Sequence, residues 1–134
     1  MGDKKREVSI MKMSDTKASV KQEKTDFGDV WYISSSPKGV FRFAIYRYDD
    51  DKKTIYLSNV FVDKEHRKEG IGNAILNAAD KITKKMNADS ICLKVKRDSF
   101  VHEWYKRHGY SDLCTDEEDK EFTWMVKRFR GGSN

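Results

Sequence analysis

Along the middle of the chain, apolar and polar residues alternate with a period of two, and near residue 70 the spacing lengthens to three and four. Alternation predicts strands, because successive strand side chains point to opposite faces of a sheet. Residues 30–34 form a short β-type run, closed by the turn-forming Ser35-Ser36-Pro37-Lys38-Gly39. Residues 40–48 carry Val40, Phe41, Phe43, Ile45 and Tyr46 among polar neighbours, and residues 54–62 follow the polar turn Asp49-Asp50-Asp51-Lys52. These three segments predict an antiparallel meander. From Gly70 onward the apolar positions are Ile71, Ala74, Ile75, Ala78, Ala79, Ile82 and Met86, the stripe of an amphipathic helix. Residues 91–95 form another strand. A second helix, capped by Asp98 or Ser99, carries Phe100, Val101, Trp104, Tyr105 and His108 and stops at Gly109 in a left-handed cap. Residues 110–114 and 122–129 read as two closing strands around an acidic loop.

The N-terminal pattern is weaker. Residues 8–13 alternate enough for a first strand, and Ser14 suits the N-cap of a short helix through about Lys24. The predicted order is β-β-β-β-α-β-α-β-β. Within it, the strand over 54–62, the long helix and the strand over 91–95 make a βαβ unit, so those two strands should run parallel. The fold class is α/β in its α+β form, with a mostly antiparallel mixed sheet of about six to seven strands flanked by about two to four helices. No repeat or linker divides the chain, which predicts one domain over 1–134. Residues 1–26 would be a shortened, partly flexible N-terminal region and 129–134 a flexible tail.

Composition narrows the class further. A chain of 134 residues falls within the common single-domain size of about 100–150 residues. Charged residues are 37% of the total, the net charge is +5 and the pI is near 9.1, which permits an anionic partner without demanding one. Cys92 and Cys114 lack metal-type spacing, so a reducing, cytoplasmic setting is expected rather than a disulfide scaffold. Cys92, inside a strand, reads as a small buried apolar residue. No apolar run approaches the length of about 20 residues that a membrane span needs, and the start has no signal-peptide core. His66, His102 and His108 show no metal pattern, so packing roles are expected and no metal is assigned.

One hexapeptide carries chemistry. Arg67-Lys68-Glu69-Gly70-Ile71-Gly72 follows a strand and opens the long helix. Glycines there let a ligand approach the backbone, and the first N–H groups of a helix have no intrahelical partner and lie at its positive end. The combination predicts a cradle for a phosphate-bearing ligand.

With a second block, these residues resemble the GNAT superfamily of acyl-CoA-dependent N-acyltransferases. The resemblance covers roughly residues 30–128 and is strongest over 55–110. Family members show a strand ending Val-x-Val, then Arg/Gln-x-x-Gly-x-Gly/Ala at a helix start, which Val60-Phe61-Val62 and Arg67 through Gly72 fill here. The family's Asn-x-x-Ala-x-x-Leu-Tyr-x-x-x-Gly-Phe is matched by a segment running from Asp98 through Val101, Trp104 and Tyr105 to Gly109 and Tyr110. Asp98, Val101 and Trp104 depart from the pattern. Glu69 places a carboxylate in the phosphate loop, which weakens anion binding unless it points away.

The resemblance implies acetyl-CoA as the cofactor, a parallel strand pair split by a bulge at its site, and a cofactor-binding core over 54–110. Backbone at Val60, Phe61 and Val62 would pair with pantetheine. The N–H groups of Lys68, Glu69, Gly70, Ile71, Gly72 and Asn73 would hold the pyrophosphate, with Arg67 beside them and Asp98 opening the second block. Tyr105 would protonate the leaving thiolate, since a phenol and a thiol have neighbouring pKa values. The base is open: Tyr56, Ser58 and Asn59 occupy the stretch where the family often has Glu, leaving Glu103, His102 or a water relay. The acceptor would be a primary amine, such as a protein lysine, an N-terminus, a polyamine or a small amine.

The acidic run Asp112, Asp116, Glu117, Glu118, Asp119 and Glu121 falls in the loop that borders the family's acceptor site. It would attract a cationic acceptor or form a solvated hairpin tip. Family members usually have two helices between their first two strands, where this chain has room for one. That predicts an open acceptor site or one completed by a second subunit, which allows a homodimer. Two other functions compete. One is a non-catalytic acyl-CoA-binding module. The other is a basic nucleic-acid or ribosome-binding protein using Lys84, Lys85, Lys94, Lys96, Arg97, Lys127, Arg128 and Arg130, although no aromatic-rich binding motif accompanies these residues.

Overall fold

The computed structural model describes residues 4–9 and 17–129. In chain order the elements are β1 (Lys4–Ser9), β2 (Lys17–Lys24), β3 (Gly28–Ser36), β4 (Phe41–Tyr48), β5 (Asp51–Val62), a 3-10 helix (Lys64–Glu69), α1 (Ile71–Lys85), β6 (Ser90–Lys96), α2 (Phe100–Arg107), β7 (Ser111–Thr115) and β8 (Phe122–Arg128). The strands form one eight-stranded sheet in the order β1-β2-β3-β4-β5-β6-β8-β7. Every neighbouring pair is antiparallel except β5 and β6, which run parallel across the α1 crossover. The mixed sheet, its single parallel pair and the β3–β4–β5 meander agree with the sequence pattern, and the strand count is one above the expected range.

The additional strand corrects the expected N-terminal helix. Residues 17–24 are β2, paired antiparallel with β3 so that Ala18 faces Ser35 and Val20 faces Ile33. Pairing buries Ala18 completely, and that tertiary gain outweighs a weak local helical preference. Of the expected first strand, Val8 and Ser9 belong to β1, while residues 10–13 and the proposed cap Ser14 lie outside the described residues, as do Arg130 and the rest of the tail.

Alternation and register divide the side chains between two unlike faces. One face carries Ile33, Phe43, Ile45, Ile55, Leu57, Ile91, Leu93 and Met125, which share a core cluster with Ile71, Ile75, Leu76 and Ala79 of α1 and Tyr105 of α2. The helical stripe read from the sequence is the surface that packs there, and residues such as Ile55, Ile71 and Ile75 are fully buried. The opposite face carries Val30, Ala44, Cys92 and Val126, which are buried but outside that cluster. No described helix covers this second face. Its shielding comes from aromatic side chains, including an edge-to-face chain of Tyr48, Tyr56 and Trp124 with centroids 5.2 and 6.1 Å apart.

Candidate active site

The parallel pair is short. Thr54, Ile55 and Tyr56 pair with Ser90, Ile91 and Cys92, and pairing between β5 and β6 ends there. Both strands continue, β5 against β4 as far as Val62 and β6 against β8 as far as Lys96. Residues 57–62 and 93–96 therefore diverge. The cause lies in β5. Arg42 faces Phe61 and Ala44 faces Ser58, so Asn59 and Val60 together oppose the single residue Phe43. This is a β-bulge, which bends its strand. Asn59 adopts φ 55° within it, a left-handed conformation that Asn tolerates better than most residues.

The divergence leaves a cavity of about 390 Å³ whose lining includes Ser58, Asn59, Val60, Lys94, Ser99 and Tyr105. An opened parallel pair presents unpaired backbone donors and acceptors, so an extended ligand with amide groups can dock on either edge as an added strand does. At the end of β5 the chain turns through the 3-10 helix into α1. Gly70 links the two with φ 80°, capping the first at its C-terminus and the second at its N-terminus, with no side-chain cap. A side chain there would be strained by the backbone angle although the space around it is open.

The first α1 bond outside the regular ladder runs from Ala74 N–H to Gly70 C=O at 3.1 Å. The N–H groups of Ile71, Gly72 and Asn73 therefore precede the helix's own acceptors. Lys68 and Glu69 lie within the 3-10 helix, whose i→i+3 pattern occupies backbone donors. The cradle is thus narrower than the loop over 68–73 expected from sequence. Glu69 turns away from it, pairing with His66 Nδ1 at 3.1 Å. Arg67 donates from Nε to Val62 C=O at 3.1 Å, fixing the 3-10 helix to the end of β5. Gly72 has a packing reason besides ligand access: a Cβ there would lie 3.0 Å from Trp104 Cζ2, so the glycine lets α2 pack on α1. Phe61 lies beneath the Arg42 guanidinium, 4.5 Å from it, while Val60 and Val62 pack partly against the core.

Helix α2 supplies the opposite wall. Ser99, not Asp98, is its N-cap, accepting His102 N–H at 3.1 Å. Asp98 is held at φ 58°, and its N–H donates to His102 Nδ1 at 2.9 Å. His102 is 3% exposed, and its Nε2 lies 2.7 Å from Asp112 Oδ1. With Nδ1 accepting and Nε2–H donating, the imidazole has no free position from which to take a proton, which argues against it as the base. Glu103 is exposed and pairs with Lys106 at 3.5 Å, away from the lining.

Tyr105 lines the cavity at 6% exposure. Burial pushes its phenol up to about 12. Its hydroxyl is thus protonated throughout the neutral range but is a weaker acid than the sequence argument assumed. Among the described residues no carboxylate appears in the lining. The acidic run is partly committed elsewhere. Asp112 faces His102, and Lys106 at 3.8 Å. Asp116 accepts Trp124 Nε1–H at 2.9 Å, a bond that holds its carboxyl below the ordinary range. Sequence reasoning missed Asn59 as the bulge residue and Lys94 and Lys96 beside the cavity. An Asn interrupting an apolar strand was the available signal for the first, whereas the lysines needed the register. Among the described residues no cluster of His, Cys, Asp or Glu could hold a metal, and no helix is long and apolar enough to cross a membrane.

A mixed sheet with one parallel pair opened over an uncapped helix start defines the architecture of an acyl-CoA N-acyltransferase. Residues 27–112 match the acetyltransferase (GNAT) domain family, and the chain belongs to it. Solved structures share the fold at low identity. Escherichia coli ElaA superposes with TM-score 0.63 at 20% identity, covering 75% of this chain and 70% of that one. The PaiA N-acetyltransferase of Thermoplasma acidophilum, solved with coenzyme A, gives 0.62 at 20% identity, covering 75% of this chain and 60% of its own. A GNAT family acetyltransferase from Elizabethkingia anophelis with acetyl-CoA bound gives 0.60 at 12% identity, covering 76% of each chain.

Proposed function

We propose that this chain is an acetyl-CoA-dependent N-acetyltransferase that acylates a primary amine by direct attack in a ternary complex. The observation that carries the reading is the opening of β5 from β6 beyond Tyr56 and Cys92, with the bulge at Asn59 on one wall and Tyr105 on the other. The N–H groups of Ile71, Gly72 and Asn73, with Gly70 keeping the approach open, would hold the pyrophosphate, and the unpaired edge at Val60, Phe61 and Val62 would hold the pantetheine arm. Arg67 would act through its clamp on Val62 and its nearby charge. The thioester supplies an activated acyl group. As the amine nitrogen forms the C–N bond, the C–S bond breaks, an amine proton leaves to solvent and the sulfur departs as a thiolate. Tyr105 would donate a hydrogen bond to that sulfur. Full transfer from a phenol pushed up to about 12 to a thiolate whose acid has a pKa near about 8.5 runs uphill, so solvent completes the protonation.

The lack of a carboxylate in the lining and the engaged His102 favour water as the proton's route from the amine. The same two facts support a second reading, a domain that binds acyl-CoA without turning it over. Thiol release from acetyl-CoA across a panel of primary amines, alongside calorimetry with acetyl-CoA alone, tests both. Heat with thiol release supports the transferase, heat without release supports the binder, and no heat contradicts both. We further propose that 1–134 works as a single domain whose acceptor side, without covering helices among the described residues, is open.

A further inference from the structure

The cleft is lined by residues from both faces of the sheet, and the two sets differ in chemistry. On the helix side its walls are Leu57, Leu93, Val95 and Tyr105, all in the main core cluster. Alternation sends Ser58, Lys94, Lys96 and Phe122, which also line it, to the helix-free face. There Lys94 Nζ lies 5.8 Å from the ring centres of both Phe122 and Trp124. Lys96 is exposed and has no ion pair among the described residues. Among the described residues, the carboxylate paired with Lys94 is that of Asp116, at 4.0 Å. Its oxygens already accept Trp124 Nε1–H and Asp119 N–H, each at 2.9 Å. Two ammonium groups, Lys94 with Asp116 as its counter-ion and Lys96 with none among the described residues, therefore stand beside the Phe122 ring on this face.

Those charges sort acceptors. A lysine side chain or a polyamine brings like charge toward Lys94 and Lys96, which disfavours it. A carboxylate beside the amine would instead receive charge-assisted hydrogen bonds, and a planar apolar group would stack against Phe122. The same cations lower the pKa of an incoming ammonium group, raising the neutral fraction in a cleft without a carboxylate base. We propose that the acceptor is an amine flanked by a carboxylate and carrying a planar apolar group, as in an aromatic α-amino acid. This rests on the transferase reading above.

The test compares L-phenylalanine, L-phenylalaninamide, phenethylamine, spermidine and a lysine peptide as acceptors in the thiol-release assay. Phenylalaninamide and phenethylamine both lack the carboxylate, the first with a less basic amine than phenylalanine and the second with one of similar basicity, so together they separate the carboxylate from amine basicity. The expected result is kcat/KM for phenylalanine roughly tenfold or more above the others, shrinking as salt rises. The preference should collapse in Lys94→Glu and in Lys96→Glu, read as the ratio of phenylalanine to phenylalaninamide within each variant. Equal use of the pair, or preference for spermidine or the lysine peptide, would overturn the proposal and leave the transferase standing. Absence of amine-dependent thiol release with every acceptor would overturn the transferase reading itself.

Discussion

The two halves of strand β5 follow one another without a break yet are held in opposite ways. Residues 54–56 are paired with β6 over the α1 crossover, Tyr56 also pairs with Tyr46 of β4, and Ile55 is fully buried. Residues 57–62 keep β4 but lose β6, and their middle is a bulge with a left-handed Asn. The first half is stabilised by buried apolar area, roughly 1.5–3 kcal/mol for each large aliphatic side chain. The second half leaves backbone groups unpaired, and an isolated fold would be expected to close such a gap. It persists because the bulge turns β5 away while the core below continues through Leu57, Leu93 and Tyr105. The contrast teaches that the stable half exists to position the open one.

The largest expected effect falls in the clasped half. Ile55→Ala should lower unfolding free energy by about 3–4 kcal/mol in urea titrations while the folded fraction keeps its acetyl-CoA affinity. A matching loss of affinity would show that the halves are not separable. Next comes alkaline pH. The folded pKa of Tyr105 is raised from 10.0 to about 12, and burial, with Asp80 as the second cause, raises that of Tyr110. A raised pKa contributes stability that is fully present below the unfolded value and is lost as pH climbs toward the folded one. Stability should hold to about pH 10 and then fall, Tyr105 alone accounting for about 2–3 kcal/mol by pH 12. Tyr105→Phe should flatten part of that fall.

The same variant tests the open half. Thiol release should drop about 10–100-fold in kcat, with acetyl-CoA binding changed little in calorimetry; an unchanged kcat would remove Tyr105 from the chemistry. Gly70→Ala should cost about 1–2 kcal/mol in stability from the left-handed backbone and weaken acetyl-CoA binding besides. The smallest effect belongs to Asn59→Gly, which relieves positive φ but loosens the unfolded chain. Its change in unfolding free energy should stay within about 0.5 kcal/mol, and a large loss would mean that the Asn side chain, rather than the bulge, holds the gap.

Local pattern was enough for some elements and silent on others. Helix α1 could be read because one of its faces is buried, which writes a three-four period into the residues from Ile71 to Met86. The β3–β4–β5 meander was legible for the matching reason, a period of two. Strand β2 was not, since only Ala18 along it is fully buried and its lysines and Gln22 suit a helix equally well; its state is decided by pairing with β3. In the site, the glycine motif placed the helix start, but not that Gly72 answers to Trp104 or that Glu69 is drawn to His66. The His102–Asp112 contact joins residues ten apart through the packing of α2 on β7, and no periodicity announces it. Which face receives Lys94 and Lys96 likewise required the register.

Hydrogen–deuterium exchange with and without acetyl-CoA reads both halves of β5 in one experiment and so decides whether only the open half meets the ligand. Amides in 57–62 and 71–73 should slow roughly tenfold or more at saturating ligand, with 54–56 unchanged. Uniform slowing across both halves, or none in the open one, would contradict that division.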